Sequence, residues 1–320
     1  MAAKNSGQNV SGSKVKQPEI VFGDGGIDDD GNAYIASFST DSDLEDEPIT
    51  RMWSYRRGTW LYRDVDTIVQ SAIRVSKPSP VGYALGRDGL ISVATAAGLK
   101  EERIADAGTG KGKYGYVNRI RQIGGSLYVC GHAGQVYRRS SKGWTHIDTG
   151  VLRPSATVKG SISLYDIHGS SEHDIYTAGL KGILFHYDGT TWSELDSPTN
   201  HHIERIECVS ETEVYLCGGS EEEGFLFRGN KDAGWETFQT KAEGGFSGLS
   251  VFKGTPYVCA QQGLWALQSN TLLQIVPDIE PEIWFFRLVS NDDVMWSIGH
   301  EDLVTFDGLT WTRIQHLDAE

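Results

Sequence analysis

Four arginines, Arg74, Arg121, Arg205 and Arg287, carry the most evident chemistry in this chain, and each stands in a short strand-like segment beside apolar residues. A guanidinium stays charged in a protein and presents N–H donors in a rigid fork, so a cluster of them can hold a carboxylate or another small anion. Arg119, Asp166 and Glu207 occupy similar segments. Pairing between neighbouring segments is therefore the favoured alternative to anion binding, and both remain open.

Acidic segments form the second notable group. They comprise Asp41, Asp43, Glu45, Asp46 and Glu47, then Glu221, Glu222 and Glu223, and finally Asp278, Glu280 and Glu282. Tyr114, Tyr116 and Trp284 stand in comparable loops and belong to the residue types that dominate binding hot spots. A single acidic loop is often merely solvated, but three together favour a basic partner.

Motifs for catalysis or metal binding are weak. Asp28-Asp-Asp-Gly-Asn32 resembles the start of a calcium loop, but its twelfth position is Ser39 and not a bidentate Glu, so we predict a turn. His201 and His202 are adjacent, which is poor spacing for gripping one metal from a strand. The chain contains no Gly-x-Ser-x-Gly, P-loop or His-Glu-x-x-His motif. The sequence therefore predicts no catalytic residue, no metal and no cofactor.

A repeated phrase indicates the elements that position these residues. It reads Tyr34-Ile-Ala-Ser37, Tyr83-Ala-Leu-Gly86, Tyr128-Val-Cys-Gly131, Tyr176-Thr-Ala-Gly179, Tyr215-Leu-Cys-Gly218, Tyr257-Val-Cys-Ala260 and Trp296-Ser-Ile-Gly299. Successive copies are 39 to 49 residues apart. Strand patterns with this period are typical of a β-propeller. We predict an all-β fold with seven blades of four antiparallel strands, in which the phrase forms each second strand.

The fourth repeat shows the plan most clearly, because Asp188-Gly189 separates two apolar strand segments, which is a strong hairpin signal. Five fourth strands open with a tryptophan: Trp60, Trp144, Trp192, Trp235 and Trp311. A bulky ring at that register is predicted to fill the outer gap between diverging blades.

Asp188-Gly-Thr-Thr-Trp192 and Asp307-Gly-Leu-Thr-Trp311 look like shortened Asp boxes. On these motifs the chain resembles bacterial Asp-box-like propellers, of the photosystem-assembly-factor and sialidase-repeat type, over roughly residues 19 to 317. The resemblance implies that each box lies at the turn between the third and fourth strands. Sialidase activity would also need an arginine triad, a Tyr nucleophile and an early Phe-Arg-Ile-Pro phrase. The nearest phrase here, Phe286-Arg-Leu-Val289, falls in the last repeat, so glycoside processing is disfavoured.

The repeats also set the domain organisation. We predict a flexible polar tail over residues 1–17 and a single propeller domain over residues 18–320. The ring would close by packing blade one on blade seven, and a closing blade shared between the termini remains an alternative. The four cysteines are predicted to be small core residues, three of them at the same register of the second strand.

The net charge of −14 disfavours direct binding to nucleic acid or to an anionic membrane, and it favours a basic protein partner. No run of about 18 apolar residues suggests a transmembrane helix, and residues 1–13 lack the apolar stretch of a signal peptide. We therefore expect a cytoplasmic protein, with export by a non-standard route as the alternative.

The longer predicted loops share one face, where recognition concentrates on a rigid scaffold. The leading hypothesis is a non-enzymatic propeller that binds a protein through this face, specifically an immunity protein that neutralises a basic toxin such as a nuclease. The alternative is a lectin-like propeller that binds carbohydrate. Binding residues of such a lectin would recur in every repeat, whereas the loops here differ between repeats.

Overall fold

The computed structural model of the protein describes residues 20–40, 48–154, 162–280 and 282–316. These residues form seven four-stranded antiparallel sheets, arranged as the blades of a propeller. Within every blade the strands pair in chain order. Blades one to four contain β1 (Ile20–Ile27), β2 (Ala33–Ser39), β3 (Thr50–Arg56), β4 (Thr59–Val65), β5 (Val69–Val75), β6 (Val81–Gly86), β7 (Leu90–Thr95), β8 (Gly98–Arg103), β9 (Val117–Ile123), β10 (Ser126–Gly131), β11 (Val136–Ser140), β12 (Gly143–His146), β13 (Leu164–Ser171), β14 (Asp174–Gly179), β15 (Leu184–Tyr187) and β16 (Trp192–Glu194).

Blades five to seven follow the same plan. They contain β17 (His202–Ser210), β18 (Glu213–Gly219), β19 (Glu223–Asn230), β20 (Gly234–Lys241), β21 (Gly248–Phe252), β22 (Thr255–Ala260), β23 (Gly263–Gln268), β24 (Thr271–Ile275), β25 (Arg287–Ser290), β26 (Met295–Ile298), β27 (Leu303–Phe306) and β28 (Trp311–Arg313). One short 3₁₀ turn, Leu180–Gly182, interrupts the strands of blade four. The predicted fold and the assignment of the repeated phrase to the second strand are confirmed.

Second strands lie between neighbouring sheets and are buried on both faces, which explains their nearly continuous apolar sequences. Residues of the repeated phrase enter seven apolar clusters, one at each seam between adjacent blades. All four cysteines are buried and free, as predicted. The core is therefore a ring of interblade layers.

Blade one closes the ring directly against blade seven. The Phe22 N–H donates to the His300 carbonyl oxygen at 2.7 Å, and the Trp60 indole donates to the Gln315 carbonyl oxygen at 3.0 Å. Trp53 and Trp296 lie in the apolar cluster at this seam. Because β1–β4 and β25–β28 are separate sheets, no strand is shared between the termini in the described chain. The predicted tail over residues 1–17 lies outside the described residues.

Tight turns between third and fourth strands use the predicted Asp-Gly chemistry. Asp188 Oδ1 accepts hydrogen bonds from the Thr190 and Thr191 N–H groups at 2.8 and 2.7 Å. Gly189 has φ = 94°, a left-handed conformation that glycine adopts without strain. Asp307 accepts two backbone hydrogen bonds in the same way in blade seven. These turns are short. The longer connections, which run from one blade to the next, lie on the opposite face.

Candidate functional site

Antiparallel order places the loops between second and third strands on the same face as the connections between blades. We call this the long-loop face. On it, Ser220 organises the turn from β18 to β19, because its Oγ accepts hydrogen bonds from the Glu222 and Glu223 N–H groups. The backbone carbonyls of Glu221 and Glu222 accept from Gly244 and Ala242 in the next connection. The backbone is thus fixed, and the Glu221 and Glu222 side chains remain exposed.

The connection from blade six to blade seven supplies the second acidic segment. Asp278, Glu280 and Glu282 are exposed. Val276 is 82% exposed and Trp284 is 43% exposed, so two apolar side chains are accessible in the same segment. The Trp284 N–H donates to Asp302 Oδ2 at 3.3 Å, which ties its backbone to blade seven. This segment therefore presents acidic and apolar groups together on a fixed backbone.

These two segments join through blade six. A shallow groove runs from residues 241–243 to Gln261, Gln262 and Trp265, and the Phe285 N–H donates to the Gln261 carbonyl oxygen at 3.0 Å. We call the combined surface, residues 220–223, 241–245, 261–262, 276–280 and 282–284, the acidic sector. The fold thus brings two predicted acidic loops and Trp284 onto neighbouring blades. The third predicted loop, with Asp41, Asp43, Glu45, Asp46 and Glu47, lies outside the described residues.

Tyr114 and Tyr116 lie on the same face between blades two and three, but they are half-buried and engaged in local contacts. The Tyr114 ring packs edge-on against His146 with centroids 5.6 Å apart. The Tyr116 ring packs beneath the Arg87 guanidinium at 4.9 Å. Their predicted role as binding anchors stays a prediction.

His146 holds this connection to blade three. Its Nε2 lies 2.6 Å from Asp106 Oδ2, and its Nδ1 lies 2.7 Å from Asp148 Oδ2. Although burial alone would lower it, the hydrogen bonds to Asp106 and Asp148 raise the pKa of His146 above its ordinary value. The sequence contained no obvious signal for this bridge, because its three members are 40 and 2 residues apart.

The central channel contains a second charged arrangement, set by the register of the innermost strands. In each blade one inner-strand residue pairs with the third residue of the repeated phrase. We call these seven residues the inner ring: Asp24, Ser71, Arg119, Asp166, Arg205, Gly248 and Arg287. In blades one to five the register shifts at this point. An extra residue here re-aims the side chain that follows, which is the usual effect of a β-bulge.

Carboxylates of the inner ring pair with arginines of other blades. Arg119 Nη1 lies 3.1 Å from Asp24 Oδ1, and its Nε lies 3.4 Å from Asp166 Oδ1. Arg287 Nε lies 3.3 Å from Asp24 Oδ1. Arg121 follows Arg119 by two residues on β9, and its Nη2 lies 3.0 Å from Asp166 Oδ2. The favoured prediction of interblade pairing is therefore confirmed for Arg121 and Arg287.

Opposing charges fix the ionisation of both acids. Although burial alone would raise it, the arginines around Asp24, with Arg119 first, hold its pKa below the usual range. The same balance, dominated by Arg121 and Arg119, holds the pKa of Asp166 far below its usual range. Both carboxylates are therefore charged inside the protein.

Of the other two predicted channel arginines, Arg74 also forms an ion pair between adjacent blades, and Arg205 forms no ion pair among the described residues. Arg74 lies at the short-loop end of β5 and pairs with Asp28 at 2.6 Å. Asp28 in turn accepts hydrogen bonds from the Asp30 and Asn32 N–H groups, which confirms the predicted turn. Arg205 has no carboxylate within 4 Å among the described residues, and its Nη1 donates to the Glu204 carbonyl oxygen.

Asp24 is the charged inner-ring residue that sequence reasoning missed. Asp24 pairs with Ala36 and Arg119 pairs with Cys130, the third residues of their repeated phrases, and only this pairing register shows that the two positions are equivalent.

Across the described ranges, no group of three or more His, Cys, Asp or Glu side chains is placed to hold a metal ion. Nor does any helix in those ranges have the length and apolarity needed to cross a membrane.

Solved propellers share this architecture at low sequence identity. The WD40 propeller domain of Doa1 aligns with a TM-score of 0.64, 13% identity and coverage of 95% of this chain and 96% of that chain. Catalytically inactive virginiamycin B lyase from Staphylococcus aureus, solved with quinupristin, gives a TM-score of 0.65, 8% identity and coverage of 91% and 96%. YCF48 bound to D1 peptide gives 0.63, 13% identity and coverage of 90% and 93%. Such likeness shows the fold alone.

No protein-family model matches the chain. A curated relative is far closer in sequence than those structures are. The immune protein Tsi7 of Pseudomonas aeruginosa is 32% identical over 289 residues, covering 88% of this chain and 93% of the relative. This chain therefore belongs to the family of the immune protein Tsi7.

Proposed function

We propose that the protein is a non-enzymatic immunity protein that binds and neutralises a basic toxin, such as a nuclease, in the cytoplasm. The observation that carries this proposal is the 32% identity to an immune protein over 93% of that relative's length. An immunity protein needs a rigid surface complementary to one toxin, and a propeller with seven dissimilar sets of loops can supply one.

Charge supports a basic partner. The chain carries a net charge of −14. Exposed carboxylates of the acidic sector, from Glu221 to Glu282, are concentrated on blades five to seven of one face. Complementary potentials accelerate encounter and reject wrong partners more than they add affinity. We therefore place the docking site on the acidic sector.

Apolar side chains within this sector supply the affinity that charge alone does not. Trp284 and Val276 expose large apolar surfaces beside Asp278 and Glu282. Tryptophan is among the residue types enriched at interface hot spots, where a few anchors carry most of the binding free energy. We expect Trp284 to be buried when the toxin binds.

A matched pair of charge variants tests the docking face. In the first, Glu221, Glu222, Glu280 and Glu282, all exposed in the acidic sector, become Gln. In the control, four exposed acids of the opposite face, Asp29, Asp30, Asp292 and Asp293, become Asn. Both remove four negative charges, so only the face differs.

The wild type is used to isolate a toxin from the native organism, and the toxin is then expressed in a sensitive bacterium with each immunity variant. We expect the wild type and the control variant to restore growth. Titration calorimetry should show that the acidic-sector variant binds the toxin more weakly than the control variant does. Equal affinity of both variants would reject the docking face. If the wild type does not restore growth of bacteria that express the captured protein, the immunity function itself is rejected.

The Asp-box-like ancestry of the repeats is a separate proposal. It is supported by the turns at Asp188 and Asp307, where the carboxylate accepts two backbone N–H groups. Asn230 accepts hydrogen bonds from Asp232 and Ala233 in the corresponding turn of blade five. The Asn230 side-chain amide also donates to the Thr212 carbonyl oxygen at 3.0 Å, a bond that Asp could not make. Replacing Asn230 with Ala removes all three hydrogen bonds and should lower the melting temperature.

A further inference from the structure

The inner ring carries more positive than negative charge. Its seven positions hold three arginines, Arg119, Arg205 and Arg287, and two aspartates, Asp24 and Asp166. Asp24 is shared by Arg119 and Arg287, and Asp166 is shared by Arg119 and Arg121. Blade six contributes Gly248, which has no side chain, between the arginines of blades five and seven. The imbalance is therefore concentrated on one side of the ring.

Arg205 is at the centre of this imbalance. Its residue is 5% exposed, and within the described ranges it makes no ion pair shorter than 4 Å and one hydrogen bond, to a backbone carbonyl. A guanidinium keeps its proton inside a protein, so Arg205 is a buried charge. The carboxylates of Asp166, Glu204 and Asp24 act on it electrostatically, but none forms a direct ion pair with it. Burial, followed by the like charge of Arg205 and Arg119, depresses the pKa of Arg287 well below its usual value. Burial and the like charge of Arg119 also depress the pKa of Arg205.

These arginines line a cavity of about 190 Å³ at the centre of the propeller. The same cavity is also lined by Arg121, His168 and Glu207, each two residues further along its inner strand than the inner-ring residue. Burial lowers the pKa of His168, which favours its neutral form. Glu204 flanks Arg205 on β17 without a direct ion pair. At about 30 Å³ per water molecule, the cavity has room for a small oxyanion and several waters.

Strand direction places this excess charge within the molecule. Arg287 begins β25, Arg119 is the third residue of β9 and Arg205 is the fourth residue of β17. Inner strands begin at the long-loop face, so all three lie towards that end of the channel. Arg74, by contrast, lies near the other end and is neutralised by Asp28.

We propose that the long-loop end of the central channel is a binding site for a small oxyanion such as inorganic phosphate, held by Arg205 and Arg287 with Arg119 beside them. Arginine forks match the oxygen geometry of phosphate and carboxylate groups. The anion neutralises the cluster and joins blades three, five and seven through shared hydrogen bonds. This site does not depend on the proposed immunity function.

Titration calorimetry of the full chain with inorganic phosphate tests this site, at constant ionic strength in a buffer free of oxyanions. We expect saturable binding of one phosphate per chain. Arg205→Gln should weaken it at least about tenfold, the loss expected when one charge-assisted hydrogen bond is removed. Arg56→Gln, which removes an exposed arginine at the end of β3, should leave the affinity unchanged. An acetate titration distinguishes phosphate preference from general carboxylate binding.

Thermal melts with and without phosphate provide a second readout for a variant that folds poorly. Phosphate should raise the melting temperature of the wild type and of Arg56→Gln, and it should raise that of Arg205→Gln much less. Absence of saturable phosphate or acetate binding to the wild type would overturn the proposal. Equal anion affinity in Arg205→Gln and Arg56→Gln would overturn it as well.

Discussion

Charged side chains gather in two regions of this molecule, the inner ring and the acidic sector, and the two regions use charge in opposite ways. Asp24 and Asp166 of the inner ring are buried and paired with arginines from other blades. Glu221, Glu222 and Glu280 of the acidic sector are exposed. Charge in the ring therefore links parts of one chain, whereas charge in the sector is available to another molecule.

The difference follows from solvation. Moving a carboxylate out of water is expensive, so a buried one must be paired and hydrogen-bonded. An exposed carboxylate keeps its hydration and interacts weakly with neighbours, over a range of about 8–10 Å in physiological salt. Substitutions in the ring should thus change stability, and substitutions in the sector should change association.

The largest loss of stability should come from a substitution in the apolar clusters between blades. Tyr176 begins the repeated phrase of blade four, is fully buried, and accepts a hydrogen bond from the Lys231 N–H at 3.1 Å. Tyr176→Ala should lower the free energy of unfolding by about 3–5 kcal/mol, as for buried aromatic residues generally. Urea denaturation measures this, with Tyr62→Ala on an exposed outer strand as the control. A larger effect at Tyr62 would contradict the interblade core.

Removing one charge from the inner ring should cost nearly as much. Asp166→Asn leaves Arg119 and Arg121 without a full partner and should cost about 3 kcal/mol, the lower end for a broken buried pair. Asp64→Asn removes one partner of Arg51, in a surface pair with two hydrogen bonds, and it should cost less than about 1 kcal/mol. Similar losses in both variants would show that burial does not separate these two kinds of ion pair.

His146 lies between the two extremes, since its side chain is 35% exposed and bridges Asp106 and Asp148. Its folded-state pKa is raised, so protonated His146 contributes stability that is fully present below the unfolded value of about 6.5. That contribution is lost as the pH rises through the higher folded pKa.

The difference in unfolding free energy between wild type and His146→Gln should therefore shrink as the pH rises above about 6.5. Partial exposure limits the effect to less than about 1 kcal/mol. Chemical denaturation at several pH values measures it. A difference that grows with pH would show that the bridge depends on the neutral imidazole.

The smallest change in stability should follow neutralisation of the acidic sector. Replacing Glu221 and Glu222 together with Gln removes charges of exposed side chains, so the unfolding free energy should change by no more than about 0.5 kcal/mol. Association with a basic partner should nevertheless slow, and its dependence on salt should weaken. Stopped-flow mixing at two ionic strengths measures the association rate and its dependence on salt. A large loss of unfolding free energy would show instead that these side chains stabilise the fold, as those of the inner ring do.

Much of this protein was predictable from local patterns. The repeated phrase, the Asp-Gly turns and the fourth-strand tryptophans predicted seven four-stranded blades, because each pattern depends on residues close together in the chain. The acidic loops were equally readable as charge runs, although the loop from Asp41 to Glu47 lies outside the described residues. Immunity function was inferred from charge and the lack of catalytic motifs, and the relationship to an immune protein supports it.

Tertiary structure alone decided which distant residues meet. Asp24 and Arg119 are 95 residues apart, and the bulges that align them leave no mark in composition or period. The sequence therefore determined the number of blades and the chemistry of the loops. The pairing of the inner ring and the lack of an ion pair at Arg205 depended on closing the ring, since only closure brings equivalent positions of all blades around one channel.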